Sequence, residues 1–231
     1  MNFYRFLTLA AALWLILPGA NSAYADSLAG ALARVAPGAN PEVIALAVRA
    51  MQCRLAQGES SARRLAIIDY SMPSTSQRLW VFDLKRRALL FHELVAHGRN
   101  SGENMASQFS NLEESNASSL GLYRTQATYI GHNGYSLRMA GLEPGFNDRA
   151  FDRDIVIHGA PYVSQALVRS QGRIGRSLGC PAVRPAIAHR LIDSLKEGQL
   201  VFSYYPDPQW LRASQLINCQ SLASAGAHAA Q

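Results

Sequence analysis

The stretch Ile155-Val156-Ile157-His158-Gly159, followed by Arg173-Ile174-Gly175-Arg176-Ser177-Leu178-Gly179-Cys180-Pro181, decides how this chain reads. The β-branched run marks a short strand, and strand alternation puts His158 on the side of Val156 while Ile155 and Ile157 face the other way, toward a core. The strand ends in glycine, which leaves the imidazole reachable from a cleft. Gly172, Gly175 and Gly179 then make a turn-rich segment able to return the Cys180 thiol to the strand's end. A glycine-flanked thiol in a basic neighbourhood, with a histidine at hand, is what thiolate nucleophilic catalysis requires. Gly179 also frees the backbone to aim N–H groups, with that of Cys180, at an oxyanion. Arg173, Arg176 and Arg184 surround the thiol in sequence, and two uses stay open for them: stabilising a thiolate, or receiving a substrate carboxylate.

Working outward, Asn40-Pro41 supplies an N-cap and a first helical residue, apolar residues recur at helical spacing to Leu55, and Gly58 follows, so residues 41–57 read as a helix. A shorter helix precedes it around residues 28–35. The pattern then changes to a strand meander over 65–70, 79–83 and 88–95. Residues 98–119 are rich in Ser, Asn, Gly and Glu, and a loop this long inside a domain is more often functional than idle. Strands resume over 122–130, 135–139 and 153–158. Helices are expected over 161–169 and from Pro185 to Gly198, where Ile187, Leu191, Ile192 and Leu195 share a face, and 200–204 reads as a closing strand. The Ala-rich tail after Ser221 reads as flexible.

Arg5 precedes an uncharged apolar run from Phe6 to Leu17, and Ala23-Tyr24-Ala25 supplies an A-x-A cleavage site, so residues 1–25 read as a removable signal peptide. The run falls well short of the roughly 20 residues a spanning helix needs. No later stretch is long and apolar enough to cross a membrane. The formal charge of +6 includes Arg5; in an exported chain the remaining excess favours anionic envelope polymers over nucleic acid, or is an ordinary basic surface. The three cysteines are an odd number for an oxidising compartment: Cys53 and Cys219 can pair and leave Cys180 free, the alternative being buried unpaired thiols.

On its His158-Gly159 and Ser177-Leu178-Gly179-Cys180 motifs the chain resembles the murein L,D-transpeptidase family, whose signature is His-Gly on a strand followed by Ser-x-Gly-Cys. Ser118-Ser119-Leu120-Gly121-Leu122-Tyr123-Arg124-Thr125, Tyr129-Ile130-Gly131-His132-Asn133-Gly134-Tyr135-Ser136-Leu137-Arg138 and Gly141-Leu142-Glu143 extend the likeness, which spans roughly residues 65–204. The resemblance implies a mainly β fold with flanking helices: an L,D-transpeptidase-like β-sandwich or barrel catalytic domain over 61–220, with an N-terminal helical extension over 26–60 and a flexible tail over 221–231. It implies that Cys180 attacks the carbonyl of an L-centre residue in a peptidoglycan stem peptide, that His158 is the base, oriented by the Gly159 carbonyl, and that Leu178, Gly179 and Cys180 offer backbone donors to the oxyanion. Arg173, Arg176, Ser177, His132, Tyr135 and Arg184 are the substrate-binding candidates. A stem-peptide amine then resolves the thioester, without metal or organic cofactor, in a monomer of the periplasm or cell envelope. The chain departs from many members at Leu178, where they carry histidine, and in having its nearest downstream arginine at Arg184, four positions past the cysteine.

Three other readings compete. An L,D-carboxypeptidase or other peptide hydrolase on the same scaffold shares every group up to the acyl-enzyme, water replacing the amine. A non-catalytic wall-binding protein would need neither His158 nor Cys180, yet both stand in matching order. A metal site from His132, His158 and Cys180 lacks any close-spaced ligand pair.

Overall fold

A computed structural model describes residues 28–219, so the expected signal peptide and the tail lie outside the described residues. Helical residues 28–34 (α1) lead to α2 (Pro41–Ala56), which starts where its sequence says it should: Asn40 Oδ1 accepts the Glu42 N–H at 2.9 Å, and Pro41 occupies the first helical position, where a missing N–H costs nothing. Val43, Ile44, Ala47, Val48 and Met51 form the buried face of α2. They join Leu28 and Leu32 of α1 in the same apolar cluster as the sheet, so the helical extension is one wall of the core, each fully buried aliphatic side chain contributing about 1.5–3 kcal/mol. Cys53 on α2 is disulfide-bonded to Cys219.

The strands are β1 (Arg64–Asp69), β2 (Leu79–Asp83), β3 (Ala88–Glu93), β4 (Val95–Ala96), β5 (Gly121–Gly131), β6 (Gly134–Gly141), β7 (Val156–Gly159), β8 (Ala182–Val183) and β9 (Leu200–Tyr204). They make one nine-stranded sheet in the order β3-β2-β1-β9-β5-β6-β7-β8-β4. β3 and β4 stand at opposite ends of that order but are separated in sequence only by buried Leu94. The sheet must therefore curl until its two edges lie one residue apart, which makes it a near-barrel. This is why the single strand expected over 88–95 is two strands: its apolar run continues, but the chain changes edges at Leu94.

α3 (Gln165–Gln171) is capped by Ser164 Oγ and stopped by Gly172 at φ 68°. It begins later than the expected 161, because residues 161–164 form turns. α4 (Pro185–Leu195) buries Ala188, Leu191, Ile192 and Leu195 and packs against β7. A Cβ at Gly159 would stand 2.9 Å from that of Ala188, so glycine is what lets α4 close on the end of β7. β8 and the last helix, α5 (Pro208–Ala213), which Asp207 caps, are additions to the sequence reading.

Candidate active site

β7 carries the histidine and receives the cysteine. Ile155 and Ile157 belong to the main apolar cluster, leaving Val156 and His158 on the opposite face. The parallel ladder pairs His158 with Ala182, and two residues back along both chains Cys180 comes beside Val156. Its Sγ accepts the Val156 N–H at 3.4 Å and donates to the Asp154 carbonyl at 3.5 Å. Asp154 adopts φ 51°, a left-handed conformation that Asp tolerates better than most residues. No hydrogen bond joins the Cys180 thiol and the His158 imidazole.

His158 is buried, and its Nδ1 lies 3.0 Å from the Gly159 carbonyl. A carbonyl can only accept, so Nδ1 carries the proton and Nε2 is left with its lone pair. Burial, partly offset by that hydrogen bond, holds the imidazole below its usual value, favouring the neutral form. Burial likewise pushes the Cys180 thiol above its ordinary 9.0, although the residue is partly exposed; the Asp154 charge adds to this, while the Val156 N–H, the Arg153 guanidinium and the Cys180 N–H oppose it. Both shifts favour the uncharged forms, a thiol and a neutral imidazole.

The Ser177–Cys180 loop is braced from inside. Ser177 Oγ donates to the Cys180 carbonyl at 2.6 Å and accepts the Gly179 N–H at 3.1 Å. Ser177, expected to touch substrate, is spent on this turn, and the Gly179 N–H, expected to face an oxyanion, is engaged by it. Gly179 has φ 127° and packs so close that a Cβ would stand 2.8 Å from Ile155 Cδ1 and 3.0 Å from the Ala117 carbonyl. Ser118 Oγ donates to the Gly179 carbonyl at 2.9 Å, and the Ser177 N–H donates to the His97 carbonyl at 2.9 Å.

The sequence pattern of the L,D-transpeptidase catalytic domain matches residues 35–204, most of the chain and both sides of this site. The chain belongs to the L,D-transpeptidase catalytic domain family. No match is found among curated proteins. Solved structures with a similar fold include an L,D-transpeptidase from Mycobacterium smegmatis (15% identity, 63% of this chain and 60% of that one, TM-score 0.40), one from Stackebrandtia nassauensis (15%, 79% and 91%, 0.37) and L,D-transpeptidase 3 from Mycobacterium tuberculosis (14%, 62% and 61%, 0.37). The chain thus spans about 60% of the length of the Mycobacterium smegmatis protein.

Within this L,D-transpeptidase domain, the arginines expected at the thiol have other partners. Arg173 and Arg176 both pair with Glu103, at 3.1 and 2.7 Å, and Arg184 grips Glu93 through Nε and Nη2. Tyr135 stacks on His189 of α4 and donates its hydroxyl to Asp193, on the sheet face opposite Ser136 and His158. His132 sits in the exposed turn between β5 and β6. Among the described residues no group of three His, Cys, Asp or Glu side chains is arranged to hold a metal ion, and no helix is long and apolar enough to cross a membrane.

The cation nearest in effect to the thiol is Arg153, which sequence reasoning passed over. Its guanidinium donates to the carbonyls of Ser110 and Ala117 and to the hydroxyls of Ser115 and Ser119. One side chain thereby fixes the end of the long 98–119 loop on which the Cys180 segment rests. Beneath the loop's other end, fully buried Arg78 donates to the carbonyls of Met72 and Val95 and lies 2.6 Å from Nδ1 of fully buried His97. His97 Nε2 faces the Gly102 carbonyl at 3.2 Å. Its Nδ1 therefore accepts from the guanidinium and its Nε2 donates, the neutral tautomer opposite to that of His158.

Proposed function

We propose that the chain is an exported peptidoglycan transpeptidase in which Cys180 forms a thioester with an L-centre acyl group of a stem peptide and passes it to an amine. The observation that carries this reading is the thiol held on the histidine's own strand, by the N–H of Val156 two residues before His158, with the His158 tautomer fixed by the Gly159 carbonyl so that Nε2 can accept a proton. On substrate binding the thiol leaves the Asp154 carbonyl and gives its proton to His158 Nε2. The sulfur attacks the scissile carbonyl, and negative charge on its oxygen meets the N–H groups of Leu178 and Cys180. The carbon–nitrogen bond breaks as imidazolium returns the proton to the leaving amine, releasing a D-amino acid. An acceptor amine then attacks the thioester, its proton passes to His158, and the thiol is restored as the carbon–sulfur bond breaks.

Leu178, 62% exposed, stands two residues from Cys180, where an imidazole in many relatives would add a polar group. Export through the signal peptide of residues 1–25 to the periplasm or cell envelope agrees with the Cys53–Cys219 disulfide, since such bonds persist in oxidising compartments. The test is intact-protein mass spectrometry after incubation with tetrapeptide-stem muropeptides, native protein against Cys180→Ala. A stem-mass adduct on the native protein alone, together with cross-linked dimer, is expected. An adduct that survives the substitution overturns the nucleophile, and trimmed monomer without dimer makes the enzyme a hydrolase.

A further inference from the structure

Arg173 and Arg176 share Glu103 and also donate to backbone carbonyls of Ile174, Arg99 and Gly102, and Arg184 grips Glu93. Arg138, whose only hydrogen-bonded partner among the described residues is a carboxylate, is a further candidate. In the antiparallel pair of β6 and β7, Arg138 stands opposite Val156 and Ser136 opposite His158. Leu137 and Met139 point into the core, so Arg138 emerges on the His158 side, beside the residue whose N–H holds the thiol.

Arg138 is prepared for a planar anion. Its guanidinium carbon lies 4.4 Å from the ring centroid of Tyr129 and 5.5 Å from that of Phe151. Tyr129 comes from the neighbouring strand, and Phe151 is 49% exposed, an apolar ring held at the surface. Aromatic contacts fix the plane of a guanidinium without using its donors, which stay available for two-pronged binding of a carboxylate. The present partner is Asp154, whose Oδ1 lies 3.1 Å from Nη1. That carboxylate is 75% exposed, and solvent-facing pairs of this kind are weak enough to be exchanged.

Asp154 also sets the spacing. Its carbonyl receives the thiol and its carboxylate receives Arg138, so nucleophile and cation are separated by the breadth of one residue. One residue is also what separates a scissile carbonyl from the terminal carboxylate when the leaving group is a single amino acid, with successive Cα atoms about 3.8 Å apart. We propose that Arg138, framed by Tyr129 and Phe151, receives the terminal carboxylate of the leaving D-amino acid, and that Asp154 holds the place of that carboxylate in the substrate-free enzyme. The assignment rests on the acyl-transfer reading above and adds to it a reason for cutting one residue from a free C-terminus.

The test measures the rate of Cys180 adduct formation with two tetrapeptide stems that differ only in a free or an amidated C-terminus, in native protein, Arg138→Ala, Arg138→Lys and Asp154→Asn. A charge-assisted hydrogen bond predicts a native preference for the free acid of about tenfold to a hundredfold. Arg138→Ala should bring the ratio close to one, Arg138→Lys should leave an intermediate ratio, and Asp154→Asn, which tolerates the same backbone conformation, should keep or enlarge it. Because the readout is a ratio, a general loss of stability or of thiol reactivity cancels. An adduct formed without preference in the native protein, or an unchanged ratio in Arg138→Ala, overturns the subsite alone. A reduced ratio in Asp154→Asn overturns the place-holding role. No adduct from either stem overturns the acyl-transfer reading beneath it.

Discussion

Acid should loosen this protein through His97. His97 is fully buried, and its burial, the Arg78 guanidinium at 2.6 Å and the Arg176 charge all oppose a second proton, while the Gly102 carbonyl and the Glu103 backbone favour it only partly; the balance is a value pushed down to about 4 from 6.5. As pH falls, the unfolded chain takes this proton first, so the contribution to stability is whole above 6.5, shrinks as pH falls toward 4, and changes no further below that. At 1.36 kcal/mol per pH unit the gap amounts to about 3 kcal/mol, a large part of a typical domain's stability. His97→Asn is the comparison, because its side-chain oxygen can still accept from Arg78 and the group does not titrate. Urea unfolding of both proteins at pH 7 and pH 4 should show native protein losing about 3 kcal/mol more than the variant. Parallel losses would refute the argument. Since the His97 carbonyl holds the Ser177 N–H, the Ser177–Cys180 loop should share in the loosening.

Two further outcomes follow from the site. With the thiol pushed up and His158 pushed down, acylation by stem peptide should fall on the acid side of the ordinary histidine value of 6.5 as the imidazole is protonated, whereas alkylation by iodoacetamide should keep rising past pH 9; a thiol fully reactive at pH 5 would indicate a resting ion pair instead. Arg153→Ala should unpin the 98–119 loop, four hydrogen bonds from a charged donor being lost, and lower thermal stability by the equivalent of about 2–4 kcal/mol; a melting temperature within a degree of the native protein would contradict that role.

Strand parity made much of the site legible. Val156 and His158 separate from Ile155 and Ile157 in the sequence as they do in space, and Asn40-Pro41 marked the start of α2. The same parity held an unused signal at β6: Leu137 and Met139 face the core, so Tyr135 belongs with them and Arg138 with His158. What sequence could not supply was partnership at a distance. Arg176 meets Glu103 and Arg184 meets Glu93 across long separations, and a cluster of basic residues near a cysteine looks the same whether or not its charges are already neutralised. Nor does an apolar run announce that the chain will change sheet edges at Leu94. Two-residue β8 is too short to show a period at all.

The Cys53–Cys219 bond closes a covalent ring over a sequence separation of 166, and every strand, together with both His158 and Cys180, lies within it. A protease that cuts one exposed loop of such a ring leaves two chains still joined by the disulfide rather than releasing a fragment. One nick therefore leaves the sheet's pieces tethered at high effective concentration.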